Sequence, residues 1–158
     1  MIKVLFVCLG NVVRSQMAHG IFQKLIVENN LQESISIDSA GTSSSHQGDS
    51  PDIRTTKILL NHGIEHWSPA RKIVAQDYED YDYILAMDRI NLSDILKTEP
   101  QNHSPVEIRL MRDFDKQKDQ DDVVDPYYGN ESDFEETYEV LERSLKNFLK
   151  YLRSNLGI

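Results

Sequence analysis

"KVLFVCLGNVVRS", residues 3–15, decides the fold. Its first half, KVLFVC (3–8), carries two valines and a phenylalanine in a short apolar run, which predicts a buried strand. From Ser15 the period changes. Met17, Ile21 and Leu25 recur at steps of four beside Ala18, Phe22 and Ile26, so a helix with one apolar face is expected to run to near Asn29. Ser15 stands where a capping hydroxyl belongs. Strand, glycine-containing loop and helix follow in the order of a phosphate-binding βα unit.

Working outward, SISID (34–38) alternates like a short strand, and SAGTSSSHQGDSPD (39–52) reads as a loop rich in Gly, Ser and Asp. A helix is predicted over 52–61, stopped by His62 and Gly63. YDYILAMD (81–88) predicts a second buried strand, RINLSDILK (89–97) a short helix, and VEIRLM (106–111) another strand. Residues 112–133 are charged and aspartate-heavy, and read as a long loop too polar for a core element. Phe134, Tyr138, Leu141, Leu145, Phe148 and Leu152 then step by three and four, predicting a long amphipathic helix. Strands alternating with helices predict an α/β, three-layer arrangement: a parallel sheet covered on both faces. No repeat, linker or charge discontinuity divides the chain, so residues 1–158 are read as one domain. In such sheets ligands bind at the C-terminal ends of the strands, where Cys8 falls.

The chain holds one cysteine in 158 residues, which excludes an internal disulfide and a cysteine-based structural zinc site, and points to a reducing, cytoplasmic setting. No stretch approaches the roughly 20 apolar residues that cross a bilayer, so no membrane insertion is expected. The net charge of −9 disfavours nucleic acid as a partner. An acidic chain that binds an anion must build its positive field locally, from backbone amides, a helix N-terminus and an arginine.

The loop Leu9, Gly10, Asn11, Val12, Val13, Arg14 and Ser15 offers that field. Its amides can converge on a tetrahedral anion, and Gly10 permits close approach or a positive φ. Arg14 can grip two oxygens in a fork. The same groups favour Cys8 as thiolate, the nucleophilic form, with Ser15 placed to donate a hydrogen bond to it. The chemistry implied is covalent catalysis through a phosphocysteine intermediate, without metal or other cofactor. Against it stands the common fate of a free thiol, burial as a small hydrophobe. The route needs a general acid. Asp125, in VVDPYYG, either supplies it, with Tyr127 and Tyr128 stacking on an aromatic substrate, or merely opens an Asp-Pro turn; the residues alone leave these readings even. The five histidines stand in no motif and read as surface or packing residues. The i, i+4 pair His62 and His66 is interrupted by a glycine, and the carboxylates of 113–125 lack calcium-loop spacing, so no metal site is expected.

Over nearly its full length the chain resembles the low-molecular-weight protein tyrosine phosphatases. The likeness is carried by VLFVCLGN, by Arg14 and Ser15, by DSAGTSS (38–44), GDSPD (48–52) and NHGI (61–64), by DYILAMDRINL (82–92), and by DPYYGNESDFEETY (125–138). It implies a flavodoxin-like, four-stranded parallel sheet and a hydrolase acting on phosphotyrosine in protein substrates. By the same resemblance the phosphate-binding loop (P-loop) has Cys8 as nucleophile and Arg14 as oxygen ligand. Asp125 becomes the general acid, Asn11 and Ser39 shape the loop, and Tyr127 and Tyr128 line the entrance. A monomer is favoured.

Five positions depart from the family pattern. Val13 replaces a second cysteine that most members carry, which predicts that oxidised Cys8 has no resolving thiol. Gln16 and His19 replace a proline and an acidic residue. Ser68 aligns with a histidine of the loop-supporting network, with His66 close by. Ser45 aligns near an aromatic that flanks the substrate ring, which predicts a more open pocket wall. Three other functions compete. Arsenate reduction on this fold passes oxidation to further cysteines, and there are none. Arginine phosphatases of the family resemble one another in a threonine where Val12 stands, so Val12 favours tyrosine. A non-catalytic phosphoprotein-binding module has no use for Asp125.

Overall fold

A computed structural model describes residues 1–158. Four strands form one parallel sheet in the order β2-β1-β3-β4: β1 (Ile2–Cys8), β2 (Ile35–Gly41), β3 (Tyr83–Ala86) and β4 (Glu107–Leu110). Alternation along β1 sorts the core. Val4, Phe6 and Cys8 face α1 (Arg14–Glu28), α2 (Ile53–Asn61) and α5 (Glu131–Leu156), whereas Leu5 and Val7 face α3 (Asp77–Asp80) and α4 (Arg89–Thr98). The sheet is covered on both faces and its central strand β1 is buried throughout from Val4 to Cys8, as the apolar run predicts. No helix is long and apolar enough to cross a membrane.

Helix α5 carries the predicted stripe: Phe134, Leu141, Leu145, Phe148 and Leu152 are at most 1% exposed. Each such side chain stabilises by about 1.5–3 kcal/mol through burial. The helix begins before the stripe does. Asn130 caps it, accepting from Asp133 N–H while Asp133 accepts from Asn130 N–H, and Gly157 ends it at φ +66°. Strand β2 runs on to Gly41, three residues past its alternating segment, because Ser39, Ala40 and Gly41 pair with Phe6, Val7 and Cys8.

The segment 112–133 is mainly the exposed loop its composition predicts, but a few of its residues anchor it in the core. A 3-10 turn (Met111–Phe114) follows β4, and Phe114 and Val123 are buried. Beneath them Asp115, its side chain inaccessible, accepts from Arg112 Nε and Nη2 at 3.1 and 3.0 Å and from Arg143 Nε and Nη2 at 2.7 and 2.9 Å. Burial alone would raise the Asp115 pKa; the two arginines and Gln117 N–H override it and bring it down to about 2. Two guanidinium groups let a charged segment enter the core, which hydropathy does not register. Asp115→Ala strands both, and is expected to cost about 3 kcal/mol and lower the Tm by roughly 10 °C, read by thermal unfolding.

Candidate active site

Cys8 closes β1 at the C-terminal edge of the sheet, 3% exposed, and the chain turns through Leu9–Val13 into α1. Gly41 makes room for that turn: a Cβ there would stand 2.6 Å from Leu9 O. The left-handed residue is Asn11 (φ +57°), not Gly10. Gly10 gives space instead, since a Cβ on it would meet His46 Cδ2 at 3.0 Å. The amides of Gly10, Asn11, Val12 and Val13 donate to no protein acceptor, and α1 begins directly behind them. Such unpaired donors at a helix start form an anion site.

Asn11 is held on all sides. Its Nδ2 donates to Ser15 Oγ at 2.7 Å, its Oδ1 accepts from Arg71 N–H at 3.0 Å, and its carbonyl accepts from Gln16 Nε2 at 3.0 Å. This support offsets the cost of a left-handed non-glycine residue. Ser15 lies inside the first turn of α1 and does not cap it. Its Oγ stands 3.0 Å from Cys8 Sγ, and because it accepts from Asn11, its own proton is free for the sulfur.

Arg14, 3% exposed, points back over the loop. Nη1 donates to Asp88 Oδ2 at 2.6 Å and to Val123 O at 3.0 Å, leaving Nε and Nη2 without a hydrogen-bond acceptor. Burial by itself would lower its pKa; negative charge at Cys8, Asp88 and Asp125 more than compensates, and the net shift is upward. Asp125, 42% exposed, places Oδ2 3.6 Å from Arg14 Nη2 while Oδ1 accepts from Tyr127 N–H at 3.1 Å. The pocket so enclosed measures about 180 Å³ and is lined by Cys8, Leu9, Gly10, Val12, Val13, Arg14, Ser45, His46, Asp125, Tyr127 and Tyr128. Tyr127 and Tyr128 meet edge to face at 4.9 Å, and Tyr128 is 97% exposed at the mouth.

Ser45 lies on the wall with His46 beside it, and His46 Nδ1 meets Asp49 Oδ2 at 3.1 Å. Ser39 is buried on β2, where its hydroxyl meets His19 Nδ1 at 3.1 Å. Three residues of the site are given no role by the sequence: Asp88, His46 and His66. Asp88 had one available signal, an acidic residue closing the AMD strand end and capping α4, the edge at which parallel sheets bind ligands. His66 donates to Gln16 Oε1 at 2.6 Å, since Gln16 Nε2 is spent on the carbonyls of Asn11 and Ser68. The rings of His66 and His19 lie 4.5 Å apart. His62, by contrast, stacks on Tyr138 and pairs with Glu135, so the i, i+4 histidines part company. No group of three or more metal-ligating side chains is assembled anywhere.

Burial, reinforced by His19, pushes His66 down to about 4, and burial lowers His19 as well. A depressed histidine is neutral in the fold and takes up its proton on unfolding, so stability is lost as pH falls from 6.5 through 4. The Tm of the wild type is expected to drop more steeply over that window than the Tm of His66→Gln. Parallel curves would remove the histidine from the account.

The family model for low molecular weight phosphotyrosine protein phosphatase matches residues 3–157. The phosphatase of that name from Rattus norvegicus is 43% identical over 149 residues, 94% of each chain, and its Homo sapiens counterpart is 42% identical over the same coverage. Among solved structures, a protein tyrosine phosphatase from Entamoeba histolytica with Hepes in the active site superposes with a TM-score of 0.92 at 36% identity, over 98% of both chains. A Drosophila arginine phosphatase gives 0.93 at 34% identity, over 98% of this chain and 99% of its own.

Proposed function

The chain belongs to the low molecular weight phosphotyrosine protein phosphatase family, and from that premise we propose that it hydrolyses phosphotyrosine in protein substrates, and small aryl phosphates, through a phosphocysteine. The observation that carries this reading is the meeting of Cys8, Arg14 and Asp125 around one pocket roofed by two tyrosines. The substrate phosphate seats on the unpaired loop amides, with Arg14 Nε and Nη2 on two of its oxygens. Cys8 Sγ attacks phosphorus and the P–O bond to tyrosine breaks. The Asp125 carboxyl gives its proton to the departing phenolic oxygen. Water then attacks the phosphocysteine, and the Asp125 carboxylate takes a proton from it. The P–S bond breaks, releasing inorganic phosphate and the thiolate, which Ser15 Oγ–H steadies as a leaving group.

Val12 supports tyrosine over arginine as the phosphorylated residue, since it presents an apolar wall to the pocket. The test is phosphate release in excess EDTA from a phosphotyrosine peptide, phenyl phosphate and a phosphoarginine peptide. Turnover of the first two is expected, with kcat/KM for phosphotyrosine exceeding that for phosphoarginine by about tenfold or more. Preference for phosphoarginine overturns the substrate assignment. Tight peptide binding without release makes the protein a binding module.

The same site carries a redox expectation. Cys8 is the only cysteine, and Val13 sits in the loop beside it. A sulfenic acid formed at Cys8 has no intramolecular thiol to condense with, so prolonged peroxide drives it to the sulfinic form. The activity recovered by dithiothreitol is expected to fall steadily with exposure time, and glutathione present during exposure to prevent the loss. Full recovery after long exposure contradicts this.

A further inference from the structure

The first turn of α2 touches both halves of the site. On one side Asp52 N–H donates to Val12 O at 3.0 Å and Thr55 Oγ1 donates to the same carbonyl at 3.3 Å, so the middle of the phosphate loop rests on this turn. On the other side Arg54 Nη1 donates to Tyr127 O at 2.7 Å. The guanidinium lies 5.1 Å from the centre of the Tyr127 ring and 4.6 Å from that of Phe134. Asp52 fixes it from below, accepting Arg54 Nε at 3.0 Å and Nη2 at 2.8 Å, while also capping the helix through Arg54 N–H. Tyr127 N–H, in turn, is the donor to Asp125 Oδ1 at 3.1 Å.

The two peptide units that meet at Tyr127 Cα therefore carry one contact each. Its carbonyl is pinned by Arg54 and its amide steers the Asp125 carboxyl. We propose that Arg54, clamped by Asp52, is a positioning residue of the phosphatase reaction. It sets the aim of Asp125 at the leaving oxygen in register with the phosphate loop docked on the same turn. The inference rests on Asp125 being the general acid. Arg54 does not line the substrate pocket and has no contact with the phosphate site. Lysine cannot replace it, because the position demands a bidentate fork on Asp52, a third donor to Tyr127 O and a flat cation over two rings.

A residue that aims the acid matters most where the leaving group needs protonation. The experiment compares kcat/KM, which reports departure of the leaving group, for phenyl phosphate and 4-nitrophenyl phosphate. It uses wild type, Arg54→Gln and Arg54→Lys, each with and without Asp125→Asn. Arg54→Gln is expected to lose about tenfold or more on phenyl phosphate and about threefold or less on 4-nitrophenyl phosphate. Arg54→Lys keeps the charge and an apolar stem, so it reports even if Arg54→Gln unfolds; it is expected to lose in the same unequal way. With Asp125→Asn already present, either Arg54 change should add less than about twofold. Equal losses on the two substrates, or losses that multiply with Asp125→Asn, overturn the proposal and reduce Arg54 to a staple between helices. Full phenyl phosphate activity in Asp125→Asn alone overturns the acid assignment itself, and the clamp with it.

Discussion

Cys8→Ser is expected to reduce phosphatase turnover by about 10⁴-fold or more while leaving phosphotyrosine peptide binding intact. The size follows from what surrounds the sulfur. Its one hydrogen-bond neighbour is Ser15 Oγ at 3.0 Å, a donor that steadies an anion already formed. No carboxylate or imidazole stands within hydrogen-bonding reach to take a proton from an alcohol. A thiol is intrinsically strongly nucleophilic, whereas a serine hydroxyl needs such a base to activate it. The binding groups are untouched by the change, so a phosphotyrosine peptide should be held and not released, measurable by calorimetry beside a phosphate-release assay. More than about 1% of wild-type turnover, in protein shown by mass spectrometry to be fully substituted, would move the nucleophile elsewhere.

Asp125→Asn is expected to lower kcat/KM for phenyl phosphate by about 10²- to 10³-fold, with a smaller loss on 4-nitrophenyl phosphate. Asparagine keeps the shape of the side chain and an oxygen for Tyr127 N–H, so the loop should stay in place. What disappears is the proton for the leaving oxygen and, in the second step, the base for water. Because the first deficit depends on the leaving group and the second does not, the two can be separated. A burst of phenol ahead of phosphate in the variant would locate the slow step at phosphocysteine hydrolysis. An unchanged kcat/KM for phenyl phosphate would return Asp125 to the plain Asp-Pro turn that its local sequence equally allows.

What the sequence made legible, and what it hid, divides along range of interaction. The strand at 3–8, the helix behind Ser15 and the long final helix are written in local periods, and the structure places them where the periods do. Cys8, Arg14 and the loop between them are contiguous, so their chemistry reads directly. Asp125 needed the family likeness, because an Asp-Pro pair carries no record of the arginine it will face across the fold. His66 reaches the loop through Gln16, fifty positions away in sequence, and no local pattern announces that contact. Asp115 and Arg112 were invisible for a different reason: hydropathy treats each charge alone, whereas burial became affordable only once two guanidinium groups closed on one carboxylate. Arg54 stands in plain view at the start of a helix, yet nothing in its neighbours signals that its far end holds the acid loop.

The two walls of the pocket stand on foundations of opposite acid tolerance. Under the phosphate loop lies a neutral imidazole, His66, which is brought down to about 4 and whose contribution to stability is lost between pH 6.5 and 4, as the unfolded chain takes up the proton. Under the acid loop lies a carboxylate, Asp115, held at about 2, whose contribution is complete above the unfolded value near 3.8 and is surrendered only as pH falls through 2. Acidification thus removes the two contributions to stability in sequence, that of His66 first. Near pH 4 the fold should still have the support of Asp115 in full and have lost most of that from His66.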